Sequence, residues 1–597
     1  MSAPAPVTTS DSDQPEWRIR AQAKKQQQID SIPQEWIISI PEDRQNVTRI
    51  PYECGLLTAF ELEVTNTLDV QTTLDKLRTG AWKSVDVTRA FYKRAIIAHQ
   101  ATNCLTEIFV ERALARAAEM DKYLEENKIP KGPLHGLPIS LKDPFTMKGL
   151  ETINGYVANI GDFATENAVL VDILYELGAV PFVRTNVPQT LMWGETYNNV
   201  FGRTSNPYNL SLTSGGSSGG EGALIAMRGS PLGVGTDIGG SVRIPASMCG
   251  IYSLRPSYCR LPYYGARNCL EGQESVLSVL GPMANSLSGL KVFTKAVIDT
   301  RPWLRDPMCI RKVWDEEAYQ LVEHGGRGGR RCFGLMYDDG LVKPNPPVFR
   351  AMDIMKKALE AASHEVIEWD NRKHEDIFVN LVSMEPLLLE LDLTEHPNKE
   401  KRIFLADGDE DYRRECERSG EPRIQTMDPE LYSHELHDPE TNKGILIIEP
   451  LSVYELWQLH KQKRELRKEY LDHWMSTVSR TTTGRPVDAV ISPAIPYAAT
   501  PHGKNSSPFY TSLWNALDYT VGVIPVTVVD PELDKPVPPH DFYSDEDRDI
   551  YYMYKPEVYK DAPIGLQVVG QTLEEEAVLA MMEEVEDALK RYKSPVS

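Results

Sequence analysis

The sequence predicts one large α/β unit, a central mixed β-sheet covered by helices on both faces. Three observations lead there. Between Ala164 and Leu177 the apolar residues Ala168, Leu170, Val171, Ile173, Leu174 and Leu177 keep helical spacing, Gly178 stops the helix, and Val180-Pro181-Phe182-Val183 reads as the strand that follows. Two short apolar runs, residues 137–141 and 232–236, have strand length and lead directly into polar residues, the arrangement expected where an open sheet presents a site at its strand ends. Motifs are also spread along most of the chain without a convincing linker, which favours a single unit over a string of domains.

Taken in order, residues 1–28 read as a polar, mobile arm and residues 29–83 as an N-terminal helical wrap; residues 84–592 form the body. Residues 395–445 are crowded with Glu, Asp, Arg and Lys and read as a solvated surface insertion. A second insertion, 530–560, carries prolines, acids and Tyr543, Tyr551, Tyr552, Tyr554 and Tyr559, side chains suited to a substrate entrance or to a subunit contact such as a homodimer. Near the end, Thr572-Leu573-Glu574-Glu575 has capping-box form and opens a helix with Val578, Leu579, Met582, Val585 and Leu589 on one face.

Composition narrows the function. A formal net charge of −22 speaks against nucleic acid, whose phosphates need a basic face. Eight cysteines without paired spacing suggest free thiols in a reducing compartment. The first residues have no charged region followed by an apolar stretch, and no apolar run is long enough to span a bilayer, so a cytoplasmic protein without a membrane span is expected. On that reading the sequons at Asn46, Asn209 and Asn505 are accidental. Neither His-Glu-x-x-His nor Cys-x-x-Cys occurs, so no metal is expected, and no cofactor motif is present.

The densest signal is Gly215-Gly216-Ser217-Ser218-Gly219-Gly220 followed by Gly235-Thr236-Asp237-Ile238-Gly239-Gly240-Ser241-Val242-Arg243. Glycine costs roughly 0.5–1 kcal/mol relative to alanine inside a regular element, so such clusters imply positive φ or close backbone approach. Consecutive N–H groups in these turns converge on a concavity for negative charge, and a serine at its edge is a nucleophile beside its own oxyanion hole. Glu221-Gly222-Ala223-Leu224-Ile225-Ala226-Met227 continues as a buried helix, which argues against a flexible linker. A phosphate cradle is disfavoured because no Gly-x-x-x-x-Gly-Lys-Ser/Thr is present.

These two blocks, together with Leu134-His135-Gly136-Leu137-Pro138-Ile139-Ser140-Leu141-Lys142-Asp143, resemble the amidase signature family over roughly residues 84–592. Asn206-Pro207, Gly281-Pro282-Met283, Ile491-Ser492-Pro493 and the run from Pro563 to Gly570 look most like its fungal acetamidase-like branch. The resemblance implies the amidase signature fold and hydrolysis of a carboxamide through an acyl-serine, with Ser241 as nucleophile, Lys142 as base and Ser217 as the bridge passing a proton between them. A lysine base must be neutral, far from its ordinary pKa of about 10.4, and emergence from a buried strand supplies the necessary desolvation. Asp143 is expected to point elsewhere. The backbone N–H groups of Ile238, Gly239, Gly240 and Ser241 are expected to form the oxyanion hole. Ser218 reads either as a hydrogen-bond partner of the triad or as a helix N-cap. Asp237 and Arg243 read as a partly buried pair that fixes the loop. Met192, Trp193 and Tyr197 lie, by resemblance, on the acyl side with Gly216; Gln273 and Trp514-Asn515 are further candidates, and an aromatic there serves equally as core. The family's Gly-Leu-Lys-Pro position reads Ser253-Leu254-Arg255-Pro256 here, a departure that bears on packing around the triad.

Other schemes fit less well. A Ser-His-Asp triad built on Ser241 lacks the Gly-x-Ser-x-Gly elbow, although 12 histidines are available. His135 reads as a packed turn residue and Cys249 as a small core residue. Within the family, a subunit of a glutamine-dependent amidotransferase and a fatty-acid-amide-type hydrolase are alternatives, and a non-enzymatic scaffold is disfavoured by the intact Lys142, Ser217 and Ser241. The expected partner is a small-molecule amide.

Overall fold

The computed structural model describes residues 14–378, 381, 403–429, 449–507 and 509–593. Its strands are β1 (Leu105–Ile108), β2 (Pro138–Lys142), β3 (Val180–Thr185), β4 (Ser205–Asn206), β5 (Asn209–Thr213), β6 (Leu232–Asp237), β7 (Tyr252–Arg255), β8 (Val279–Ala284), β9 (Cys332–Leu335), β10 (Glu365–Glu368), β11 (Ala489–Pro493), β12 (Val521–Val528) and β13 (Pro563–Val569). Among the described residues, 11 strands form one mixed sheet in the order β1-β3-β2-β6-β8-β7-β12-β13-β11-β9-β10, and β4 and β5 form a small hairpin. Parallel pairs β3–β2–β6 and β11–β9–β10 lie toward the two ends, and the strands between them are antiparallel.

Strands β2, β3, β6, β8, β11 and β13 are buried at every residue, which explains why they read as continuous apolar or small-residue runs instead of alternating ones. Flanking helices supply the cover: Ser84–Thr102 and Val110–Asn127 pack on β3, Leu287–Asp299 on β8, Pro346–Ala361 on β13, and Glu575–Lys593 on β12. Parallel neighbours β2 and β6 deliver their carboxyl ends to the same edge, so Lys142 and Asp237 emerge side by side. That edge is where an open α/β sheet places its site.

Several expectations need correction. The helix read from Ala164 starts at Val169, because the N–H groups of Ala164 and Ala168 are already used by the carbonyls of Leu150 and Thr146. No capping box forms at Thr572: its hydroxyl donates to the Asp518 carbonyl and the Glu575 carboxylate is occupied by Arg260, so the helix begins at Glu575. All five residues of its expected apolar face are buried. The arm read as reaching residue 28 is helical over Glu16–Asp30. Lys24 is buried there in ion pairs with Glu107 and Glu151, and Gln28 donates to the carbonyls of Leu105 and Thr106, tying the helix to β1. Residues 1–13 lie outside the described residues.

Within the insertion expected at 395–445, residues 403–429 are docked, and the remainder lies outside the described residues. Helix Glu410–Ser419 shows solvent an ion-paired face with Arg413, Arg414 and Arg418 while burying Tyr412 and Cys416. One apolar side suffices to seat a helix whose other side is charged. In the second insertion, helix Asp545–Met553 is followed by buried, stacked Tyr554 and Tyr559, whereas Tyr543 and Tyr552 are exposed.

Candidate active site

Lys142, at the end of β2, is inaccessible to solvent, and its Nζ lies 2.7 Å from both Ser217 Oγ and Thr236 Oγ1. Burial pulls its pKa down to about 7, against the opposing pull of the Asp237 carboxylate. Asp143 is turned away, as strand alternation requires. Its carboxylate accepts from Thr106 Oγ1 at 2.7 Å and from the Asn154 N–H at 2.6 Å, and it sits 3.6 Å from Arg184.

The loop that brings Ser217 to the amine is shaped by its glycines. Gly215 has φ +83°, and a Cβ at Gly216 would stand 2.5 Å from the carbonyl oxygens of Trp193 and Glu195. The Gly216–Ser217 peptide is cis. Ser218 stands at the N-cap position of helix Gly219–Ala226 but its side chain does not cap it; its Oγ meets both the N–H and the carbonyl of Thr236, and its own N–H donates to the Ser241 carbonyl at 3.2 Å. Ser218 thus locks the two serine loops and the end of β6 together. Three residues on, Glu221 is fully buried with Oε2 2.6 Å from Ser140 Oγ and Oε1 accepting from Thr185 Oγ1 at 3.0 Å.

Asp237 organises the second loop. Its carboxylate accepts from the N–H groups of Gly240 and Val242, from Asn515 Nδ2 and from Arg243, all buried. Burial disfavours ionisation, yet the Arg243 guanidinium outweighs it and holds the carboxyl at about 2. Arg243 also donates to Gln567 and to the Thr511 carbonyl, anchoring the loop to β13 and to helix Phe509–Leu517. Of the four N–H groups expected to form the oxyanion hole, that of Gly240 points at Asp237 Oδ1 at 2.9 Å. Gly240 has φ +139°, and a Cβ there would overlap the Thr511 side chain.

Among the expected substrate contacts, Met192 is half-buried between two apolar clusters, one holding Ile238 and Trp514, the other Leu191 and Tyr412. Trp193 and Tyr197 pack on Ile424 and Met427 of the docked insertion. Gln273 is not available: its Oε1 accepts from the N–H groups of Ser275 and Val276 and its Nε2 donates to the Val276 carbonyl. Asn515 supports the loop, and Trp514 stacks on Tyr519 in the core. Cys249 is a core residue whose thiol burial pushes far up, and His135 accepts from the Lys131 N–H within a turn. Sequence reading missed Thr236, Glu221, Thr511 and Glu421; the first two lie inside the quoted motifs, but only their partners reveal a role. Glu421 joins Gln189, Asn199 and the Val157 N–H, so the insertion is stapled to the loops on either side of Met192, Trp193 and Tyr197.

A family model described as Amidase matches residues 86–579. An acetamidase of Aspergillus oryzae is 40% identical, the match covering 95% of this chain and 98% of the relative. An acetamidase of Emericella nidulans is 39% identical over 97% of this chain and 99% of the relative. A solved structure of a fatty acid amide hydrolase superposes with a TM-score of 0.83 at 32% identity, covering 96% of this chain and 95% of that one. Among the described residues no helix is long and apolar enough to cross a membrane. With these likenesses along nearly its whole length, the chain belongs to the amidase family and is an amide-hydrolysing enzyme.

Proposed function

We propose that this enzyme hydrolyses a small to medium carboxamide through an acyl-Ser241 intermediate, with Lys142 as general base and Ser217 as the proton bridge. The observation that carries the reading is the buried Lys142 amine, its pKa near neutrality and its Nζ 2.7 Å from Ser217 Oγ. Ser241 Oγ attacks the carbonyl carbon as its proton passes to Ser217 and the Ser217 proton passes to Lys142. The N–H groups of Ile238, Gly239 and Ser241 receive the developing oxyanion. Reversal of the relay gives the proton to the leaving nitrogen, the C–N bond breaks, and water then releases the carboxylate by the same route. The substrate size follows the acetamidases among its relatives. No metal or other cofactor enters the scheme, and the acidic net charge and apolar-run lengths support a cytoplasmic enzyme without nucleic-acid partners.

The test is interception. Hydroxylamine added during turnover converts the acyl-enzyme to a hydroxamate, and a fluorophosphonate probe labels wild type but not Ser241→Ala. Absence of hydroxamate across amides of graded acyl length, or equal labelling of both proteins, refutes the reading.

A further inference from the structure

Beneath Lys142 lies a buried acid that the scheme above does not use. Ser140 and Lys142 are two apart on β2 and share a face; Lys142 is in register with Thr185 on β3, and Ser140 with Gly233 on β6. Glu221 fits between these strands. A Cβ at residue 233 would overlap its carboxyl, so the glycine there leaves room for the acid.

The hydrogens can be counted. Glu221 Oε2 lies 2.6 Å from Ser140 Oγ, Ser140 Oγ lies 2.9 Å from Ser230 Oγ, and Ser230 Oγ lies 2.8 Å from the Leu232 carbonyl. Each of these three contacts needs a hydrogen, and the two serines own one apiece. Ser230 gives its hydrogen to the Leu232 carbonyl, which can only accept, and Ser140 gives its hydrogen to Ser230. The hydrogen in the Glu221–Ser140 contact therefore belongs to the carboxylic acid. Oε1 remains the carbonyl oxygen that accepts from Thr185. Burial acts in the same direction, raising the Glu221 pKa to about 8. The ionisable groups that sense Glu221 are Lys142 on β2 and Cys104 just before β1, while Lys142 also senses Asp237 on β6 and Cys269.

We propose that Glu221 is a positioning residue that carries the proton which Lys142 must lack, the chain of Ser140, Ser230 and the Leu232 carbonyl selecting the neutral acid beside the neutral amine. The alternative arrangement, carboxylate beside ammonium, has the same number of protons but leaves one oxygen–oxygen contact without a hydrogen. An ionised carboxylate there would also hold the proton on Lys142 and silence it as a base. The inference rests on the base role of Lys142 for its consequence, whereas the protonation of Glu221 stands by itself.

Two measurements test it on the full-length enzyme. Infrared difference spectra between wild type and Glu221→Gln at pH 7 should contain a protonated-carboxyl C=O band belonging to wild type; a carboxylate band in its place overturns the proposal. Ser230→Ala removes the acceptor that orders the chain, frees the Ser140 hydrogen for Glu221 and allows it to ionise. The acid limb of kcat/KM should then rise by about one pH unit, roughly a tenfold loss on that limb. Ser230→Ala/Glu221→Gln should return the limb to the wild-type position, since glutamine donates to Ser140 but cannot ionise. An unmoved limb in Ser230→Ala, or the same displacement in the double variant, overturns the proposal. A protonated-carboxyl band in an enzyme that yields no hydroxamate would remove the acyl-serine reading and leave Glu221 protonated.

Discussion

Replacing Thr236 by valine removes one hydroxyl from beside Lys142 Nζ and keeps the shape of the side chain. In the proposed mechanism the neutral amine uses its lone pair to accept from Ser217 and gives one N–H to Thr236, the two oxygens each lying 2.7 Å from Nζ. Loss of a neutral hydrogen bond is worth about 0.5–1.5 kcal/mol, so kcat/KM on its plateau should fall roughly two- to tenfold as the amine loses its orientation. A hydrogen bond from the ammonium is stronger, about 1.5–3 kcal/mol, so the hydroxyl favours the protonated lysine by about 1 kcal/mol. Its removal should lower the Lys142 pKa by about 0.7 unit at 1.36 kcal/mol per unit. Activity requires the unprotonated amine and rises as pH climbs through the lysine pKa, which stands at about 7 in the intact protein. The acid limb of the Thr236→Val profile should therefore sit lower than that of wild type, and the deficit should be smaller below the limb than on the plateau. The assay is kcat/KM for one amide across the pH range at fixed ionic strength, which reports the free enzyme. A limb that moves upward, or a profile superimposable on wild type, refutes the assignment of Thr236 and weakens that of Lys142.

Asp237→Ala leaves Arg243 buried without its partner and two loop N–H groups without an acceptor, so unfolding free energy by denaturant titration should drop by about 3–5 kcal/mol; a loss under about 1 kcal/mol contradicts the network. Gly216→Ala should abolish fluorophosphonate labelling, because its methyl would stand 2.5 Å from two main-chain carbonyl oxygens, and normal labelling shows the loop to be looser than drawn. Lys24→Met should destabilise by about 3–5 kcal/mol at neutral pH, measured by the same titration, since it strands the carboxylates of Glu107 and Glu151. Burial lowers the Lys24 pKa, but Glu107 and then Glu151 more than reverse this. A raised folded-state value means the stabilisation is complete below the unfolded lysine pKa and disappears as pH rises through the folded one. The wild type and the variant should accordingly converge as pH rises into strong alkali.

Local chemistry was legible in the sequence wherever the residue itself forces the backbone. Glycines at 215, 216, 239 and 240 announced tight turns beside two serines, and buried runs ending in Lys142 and Asp237 announced strands that stop at a site. The Asp237–Arg243 pair was readable for the same reason: both ends lie in one short loop. What depends on surfaces far apart in the chain was not. The charged helix Glu410–Ser419 looked solvated because Glu421, just beyond its end, is held by Gln189 and Asn199 from loops more than 200 residues earlier. The Glu16–Asp30 helix reads as a loose arm until Glu107 and Glu151 are beside Lys24. Gln273 looked free to bind substrate although its own loop consumes it.

By itself, then, the sequence determined the fold class and the family, and it singled out the lysine and the two serines as candidates, because those rest on local steric demands and on motif spacing. Tertiary structure alone decided that the Lys142 amine is dry, that Thr236 faces it, that Gly240 serves Asp237, and that the buried Glu221 meets Ser140 and Thr185. Desolvation and hydrogen ownership are properties of a neighbourhood, and no stretch of chain carries its neighbourhood with it.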